Sequence, residues 1–111
     1  MSADAYHVTA PAPDGDGAAR SMKSAISCAG ISSLDIDYIN THGTSTELGD
    51  VAETVAIKSA FGERAYKIPC NSTKSMIGHL LGATGAVELI ATVQQMREGR
   101  VHQTINLENP D

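Results

Sequence analysis

Apolar and polar positions follow two different periods along this chain, and the switches between them divide it into elements. Met22, Ala25, Ile26 and Ala29 recur at helical spacing, which predicts a helix over Ala18 to Ala29, ended by Gly30, with Arg20 and Lys23 on its wet side. Leu48, Val51, Ala52, Val55, Ala56 and Ala60 mark one face of a second helix that closes at Gly62. Ahead of it, Thr44 and Glu47 have the spacing of a capping box, and Asp50 falls in the first turn, where the helix dipole favours an acid. Ile36 to Asn40 is short and rich in β-branched and aromatic residues, so it reads as a strand. Lys67 to Asn71 reads as another, and Pro69, which cannot donate to a ladder, confines it to an edge or leaves it one free side.

The third helix, from about Ile77 to Arg97, is apolar nearly all round, which predicts burial with partners on every side. Gly78, Gly82 and Gly85 remove side chains near its start at a cost of roughly 1 kcal/mol each relative to alanine, and tight helix packing is the expected reason at Gly82 and Gly85. Glu88 stands among apolar neighbours and needs a partner, for which Lys74 at the start of the same stretch is the candidate. Beyond Gly99, Val101 to Leu107 reads as extended, and Pro110 breaks it off. Residues 1–17, with Pro11, Pro13 and the run Asp14-Gly15-Asp16-Gly17, read as an exposed loop. The order helix, strand, helix, strand, helix is an α/β pattern with a short parallel strand pair and three helices. Two strands and an all-apolar helix do not cover one another, so the chain is expected to be part of a larger domain that alone either associates along its open strand edge or is marginally stable.

Composition narrows the function classes. At 111 residues the chain can build one small core, and 41% hydrophobic content is ordinary. A net charge of −5, one Phe and no Trp exclude a nucleic-acid surface, which needs a basic face and stacking aromatics. Cys28 and Cys70 show no metal spacing, and with no apolar signal segment they suggest a reducing, cytoplasmic setting. The longest apolar run is interrupted by Gly, Thr and Glu88, so no transmembrane span is expected.

Chemistry concentrates where strand ends and loops meet helices. His42 follows a strand in NTHGTSTELGD, and Lys74 and His79 lie in STKSMIGH. In parallel α/β sheets ligands gather at the carboxyl ends of strands, which suits His42. Two imidazoles and an ammonium converging on one pocket would hydrogen-bond a developing oxyanion. His7 and His102 carry no such context and read as ordinary polar groups. A hydrolase built on Cys70 and His79 is a weaker reading, since no third orienting group is evident.

THGTSTELGD followed by STKSMIGHLLGATGAVE, with SADAYHVTAP near the start and QTINLENPD at the end, resembles the β-ketoacyl-acyl-carrier-protein synthases, particularly the elongating type of bacterial fatty-acid synthesis. Polyketide ketosynthases usually continue the Gly-Asp pair with Pro-Ile-Glu, whereas Gly49 and Asp50 here are followed by Val51, Ala52 and Glu53. The resemblance implies a partial thiolase-like fold, part of the C-terminal βαβαβαββ half, whose strand order 3-2-1-4-5 would be represented here by strands 2 and 3. It implies decarboxylative Claisen condensation of an acyl thioester with malonyl-acyl carrier protein. His42 and His79 would bind the malonyl thioester carbonyl as neutral Nε2 donors, supported by Lys74, Glu88 and Asp50. Thr44 and Thr46 would bond the phosphopantetheine arm, which the carrier protein brings, so no resident cofactor is expected. Some members hold a monovalent cation at the positions of Asn40 and Glu88; no other metal is expected.

The family nucleophile sits in a Thr-Ala-Cys-Ala-like turn that this sequence does not contain. The expectation is therefore the two histidines and the lysine of a condensing site, inactive alone and completed by a complementary N-terminal half, with acyl carrier protein, acyl and malonyl thioesters and a homo-oligomeric partner as the implied contacts. The alternative is a non-catalytic interaction module that binds carrier protein or the complementary half. No membrane or nucleic-acid partner is implied.

Overall fold

A computed structural model describes residues 2–109, so Met1 and the chain break anticipated at Pro110 lie outside the described residues. Helix α1 spans Asp16–Ala29, β1 Ile39–Asn40, α2 Glu47–Phe61, β2 Cys70–Asn71, α3 Lys74–Ile77 and α4 Thr84–Glu98. Short 3-10 turns at Ser33–Asp35, Gly62–Lys67 and Leu81–Ala83 fill the connections. The two strands pair in parallel, Ile39 opposite Cys70 and Asn40 opposite Asn71. Both strands are shorter than anticipated. Lys67 is drawn into the 3-10 turn, and Pro69 enters the pairing only through its carbonyl, which accepts from the Ile39 N–H at 3.0 Å.

Helix α1 starts two residues earlier than its apolar spacing suggested, so Asp16 and Gly17 leave the anticipated loop for the first helical turn. Asp16 then pairs with Arg20 one turn on, at 2.7 Å. Gly15 precedes the helix at φ +66, and Gly30 closes it at φ +67, both left-handed conformations that a side chain resists. Gly15 also allows a close approach: a Cβ there would stand 2.5 Å from the Ala52 carbonyl oxygen and 2.7 Å from the Ala56 nitrogen. Ala19, Ala52 and Ala56 are buried with it, so α1 and α2 meet backbone to backbone across small side chains.

That alanine seam, with Ile57 and Ile68, is the core, and among the described residues no large side chain is fully enclosed. The face anticipated for α2 is correspondingly revised, because Leu48 is 72% exposed and Val51 57% exposed while Ala52, Ala56 and Ile57 are covered. The capping box expected at Thr44 and Glu47 is absent; Thr46 precedes α2 with extended backbone, and its side chain caps nothing. A true capping box forms instead at Ser32 and Asp35.

The long third helix is not continuous. Gly78 at φ +73 ends α3 after one turn, and Leu81 at φ +51 begins a second turn before α4 starts at Thr84. Neither Gly82 nor Gly85 has a neighbour within 4 Å of where a Cβ would lie, so the tight packing anticipated there is not made within this chain. Leu89, Ile90, Val93 and Met96 of α4 are likewise exposed, and Thr84 is the buried residue of that helix. The segment after Gly99 joins no ladder and is held by side-chain hydrogen bonds.

Gly15→Ala is expected to lower stability by at least about 1–2 kcal/mol, the cost of left-handed backbone for an L residue, with more from the overlap with Ala52. Urea denaturation of the variant beside the same change at Gly82, where space is open, checks it; the Gly82 variant should be neutral or more stable.

Candidate active site

Pairing of β1 with β2 fixes two loops side by side. Past β1, the Thr41 N–H and hydroxyl both donate to the Asn71 carbonyl at 2.8 Å, which carries the chain straight into His42. Past β2, Ser72, Thr73 and Lys74 are buried and turn into α3. The Ser72 hydroxyl donates to the Gly43 carbonyl at 2.6 Å and ties the loops together. Gly43, at φ +42, has no room for a Cβ, which would lie 2.6 Å from that of Ser72. A cavity of about 480 Å3 opens between them, its lining including Thr41, Thr44, Asp50, Ser72, Lys74 and His79.

His42 and His79 come together: their ring centroids are 5.3 Å apart and the planes stand at 86°. The Leu81 N–H donates to Nδ1 of His79 at 3.1 Å, and the Thr84 hydroxyl lies 3.0 Å from the same nitrogen. Since Nδ1 is an acceptor, the neutral His79 ring carries its proton on Nε2. Leu81 makes that contact from a left-handed backbone, φ +51, and is itself 79% exposed. Strain of this kind at a site is accepted for what the backbone group does.

Lys74 pairs with Glu88 at 2.6 Å, as anticipated, and with side chains only 4% and 16% exposed the two charges neutralise each other inside the protein. The pair joins α3 to the second turn of α4 across the break between them.

Glu53 was not singled out from the sequence. Its two carboxylate oxygens accept the His42 N–H at 2.7 Å and the Gly43 N–H at 2.8 Å, clamping the loop backbone from α2. Its place seven residues into a helix that opens with Glu47 and Asp50 gave no signal that distinguished it from a solvated acid. Thr44 and Thr46 place their hydroxyl oxygens 3.1 Å apart, with Thr44 on the cavity wall. Asp50 lines the cavity and its buried Oδ1 has no partner.

Asn40 also keeps a buried Oδ1 without a partner, while its amide donates to Thr73 and Thr92. A hard cation takes roughly six or more oxygen ligands. One free amide oxygen, with Glu88 already held by Lys74, does not make such a site, and among the described residues no group of three or more His, Cys, Asp or Glu is arranged for a metal. Cys28 is exposed on α1. Cys70 borders the cavity, where burial of its sulfur first, and the Glu53 carboxylate second, push the thiol up, although the residue as a whole is exposed. That is the opposite of what a nucleophile needs.

Residues 1–108 match the family described as beta-ketoacyl synthase, C-terminal domain. Over all 111 residues the chain is 55% identical to 3-oxoacyl-[acyl-carrier-protein] synthase 2 of Synechocystis and 56% identical to the chloroplastic 3-oxoacyl-[acyl-carrier-protein] synthase II of Arabidopsis thaliana. It spans 27% and 20% of those relatives' lengths, about a quarter or less. Among solved structures, a ketosynthase in complex with its type II polyketide acyl-carrier protein superposes on all of this chain, which covers 27% of it, with a TM-score of 0.94 at 42% identity. No helix among the described residues is long and apolar enough to cross a membrane.

Removing one member of the buried ion pair should cost about 3–5 kcal/mol, so Lys74→Met is expected to destabilise strongly, with Lys74→Met/Glu88→Leu recovering most of the loss in chemical denaturation. Because the Cys70 pKa is raised, less thiolate is present at neutral pH than for an ordinary thiol. Iodoacetamide labelling of Cys70 should therefore be slow near pH 7 and accelerate only at alkaline pH; fast neutral labelling would revive the hydrolase reading.

Proposed function

Since this chain belongs to the C-terminal domain family of the β-ketoacyl synthases, we propose that it supplies the enolate-stabilising part of a condensing site that acts on malonyl-acyl carrier protein in fatty-acid synthesis. The observation that carries this reading is the perpendicular pair of imidazoles, 5.3 Å between centroids, beside an enclosed lysine. As carbon dioxide leaves the malonyl thioester, the electron pair of the broken carbon–carbon bond becomes an enolate. Its negative oxygen is held by the Nε2–H of His79 and by His42. The enolate carbon then attacks an acyl thioester, and a cysteine thiolate departs as the new carbon–carbon bond forms.

That cysteine is supplied by further polypeptide, because Cys70 is poorly activated and Cys28 lies away on the outer surface of α1. Thr44 and Thr46 receive the phosphopantetheine arm that carrier protein brings. Lys74 and Glu88 act as a mutually neutralised support that shares the cavity wall with His79 through Lys74, and Asp50 borders the same space. The relatives named as 3-oxoacyl-[acyl-carrier-protein] synthases, more similar in sequence than the polyketide structure at 42%, favour fatty-acid over polyketide assembly.

A second reading rests on the uncovered apolar faces of α2 and α4, among them Leu48, Leu89, Ile90 and Met96: the chain serves as an interaction module for carrier protein or a complementary half. The two readings separate on addition of a complementary half bearing the cysteine, where gain of condensation supports the first and binding without turnover the second.

His42→Ala or His79→Ala should lower malonyl-carrier decarboxylation about a hundredfold or more, the scale for loss of one oxyanion donor. Carbon dioxide release from labelled malonyl-carrier protein measures it, and unchanged rates in both variants would refute the assignment.

A further inference from the structure

The sequence around His102 marks it as no more than an ordinary polar group, yet every polar atom it owns is engaged. Its N–H donates to Oε1 of Gln95 at 3.0 Å, and its carbonyl accepts from the Asn71 amide. Nδ1 lies 2.9 Å from the Gln103 carbonyl, which can only accept, and 3.3 Å from the Asn71 amide nitrogen, which can only donate; the shorter contact puts the proton of the neutral ring on Nδ1, and the Asn71 amide is satisfied by the His102 carbonyl instead. Nε2 is then the acceptor for the Thr73 hydroxyl at 3.1 Å. The Thr73 oxygen in turn accepts the Asn40 amide at 2.9 Å, which gives one unbroken direction of donation from Asn40 through Thr73 to His102.

Three elements meet at this residue, Thr73 at its ring and Gln95 at its backbone N–H. Asn71 ends β2, Thr73 immediately precedes Lys74, and Gln95 belongs to α4, the helix that carries Glu88. Tyr38 completes a ring of four: its hydroxyl donates to Asn71, Asn71 donates to His102, His102 donates to Gln95, and the Gln95 amide lies 3.5 Å from the Tyr38 oxygen. Burial raises the Tyr38 pKa, with the hydrogen bonds to Gln95 and Asn71 opposing it, so the phenol stays a donor. Two residues beyond His102, the Thr104 hydroxyl accepts the Ser72 N–H at 3.0 Å, and the Ile105 N–H donates to the Ser75 hydroxyl at 3.1 Å. Both Thr104 and Ile105 line the cavity.

We infer that His102 is a positioning residue: through Thr73 it sets the start of α3, and so the lysine ammonium against Glu88, while it holds the 101–107 segment as the far wall of the cavity. The inference deepens the proposed function and rests on it for its catalytic consequence, though not for its geometry.

Two substitutions test it. His102→Gln can place an amide where Nε2 now meets Thr73, and His102→Leu fills the space with no acceptor. The first readout, on this chain, is the rate at which Lys74 is modified by trinitrobenzenesulfonate, mapped by peptide, beside the unfolding transition. Lys74 should react about ten-fold faster in His102→Leu, the factor that goes with losing one hydrogen bond's worth of positioning, and at the parental rate in His102→Gln, with cooperative unfolding kept in both. The second readout, with a cysteine-bearing complementary half, is malonyl-carrier decarboxylation, where His102→Leu should lower kcat with KM little changed and His102→Gln should restore it. Unchanged Lys74 reactivity in His102→Leu, or equal acceleration at every lysine with loss of cooperative unfolding, would overturn the inference. Absence of decarboxylation in the parent protein would instead count against the proposed function, and the Lys74 rates would still decide the role of His102.

Discussion

Everything in this molecule that resembles a site depends on a parallel ladder two residues long. Ile39 and Asn40 lie beside Cys70 and Asn71, and the bonds from Ile39 to Pro69 and from Thr41 to Asn71 extend the pairing by one step at each end. Parallel pairing sends both chains out of the sheet on the same side, so the loop that carries His42 and the turn that carries Lys74 and His79 are neighbours by construction. An antiparallel pair would have put them at opposite ends. The alanine seam between α1 and α2 then fixes α2, and α2 presents Glu53 to the His42 loop.

Charge is placed with the same economy. The Lys74 ammonium is enclosed only because Glu88 meets it, and the two sit on either side of the helix break at Gly78 to Leu81. Glu53 acts in a different way, as a carboxylate spent wholly on two backbone N–H groups. Between these two acids the His79 ring is approached by a backbone N–H, a hydroxyl and the His42 ring, the arrangement on which the proposed oxyanion role rests.

Much of this was legible in the residues. The α/β alternation, Gly30 as the stop of α1, the delivery of His42 just past a strand and the partnership of Lys74 with Glu88 all followed from spacing and from the cost of an unpaired buried charge. The third helix was misjudged because propensity and apolar content from Ile77 onward are helical, and a single left-handed residue, Leu81, has no signature in side-chain chemistry. The capping box at Thr44 matched in spacing alone, and the chain there places Ser45 at φ +61 instead. Glu53 and His102 were missed for a common reason. Each serves backbone groups or hydroxyls far away in sequence, and only the folded chain says which. The apolar surface of α4, expected to be covered on every side, shows the converse: the pattern described correctly what the helix needs, and this chain by itself does not provide it.

Leu81 has one more implication. What meets His79 is a peptide group, and the leucine side chain above it points to open surroundings. On backbone grounds position 81 should therefore accept glycine most easily and reject proline, which has no hydrogen on its nitrogen to give. A peptide group would thus govern the tautomer of a neighbouring imidazole.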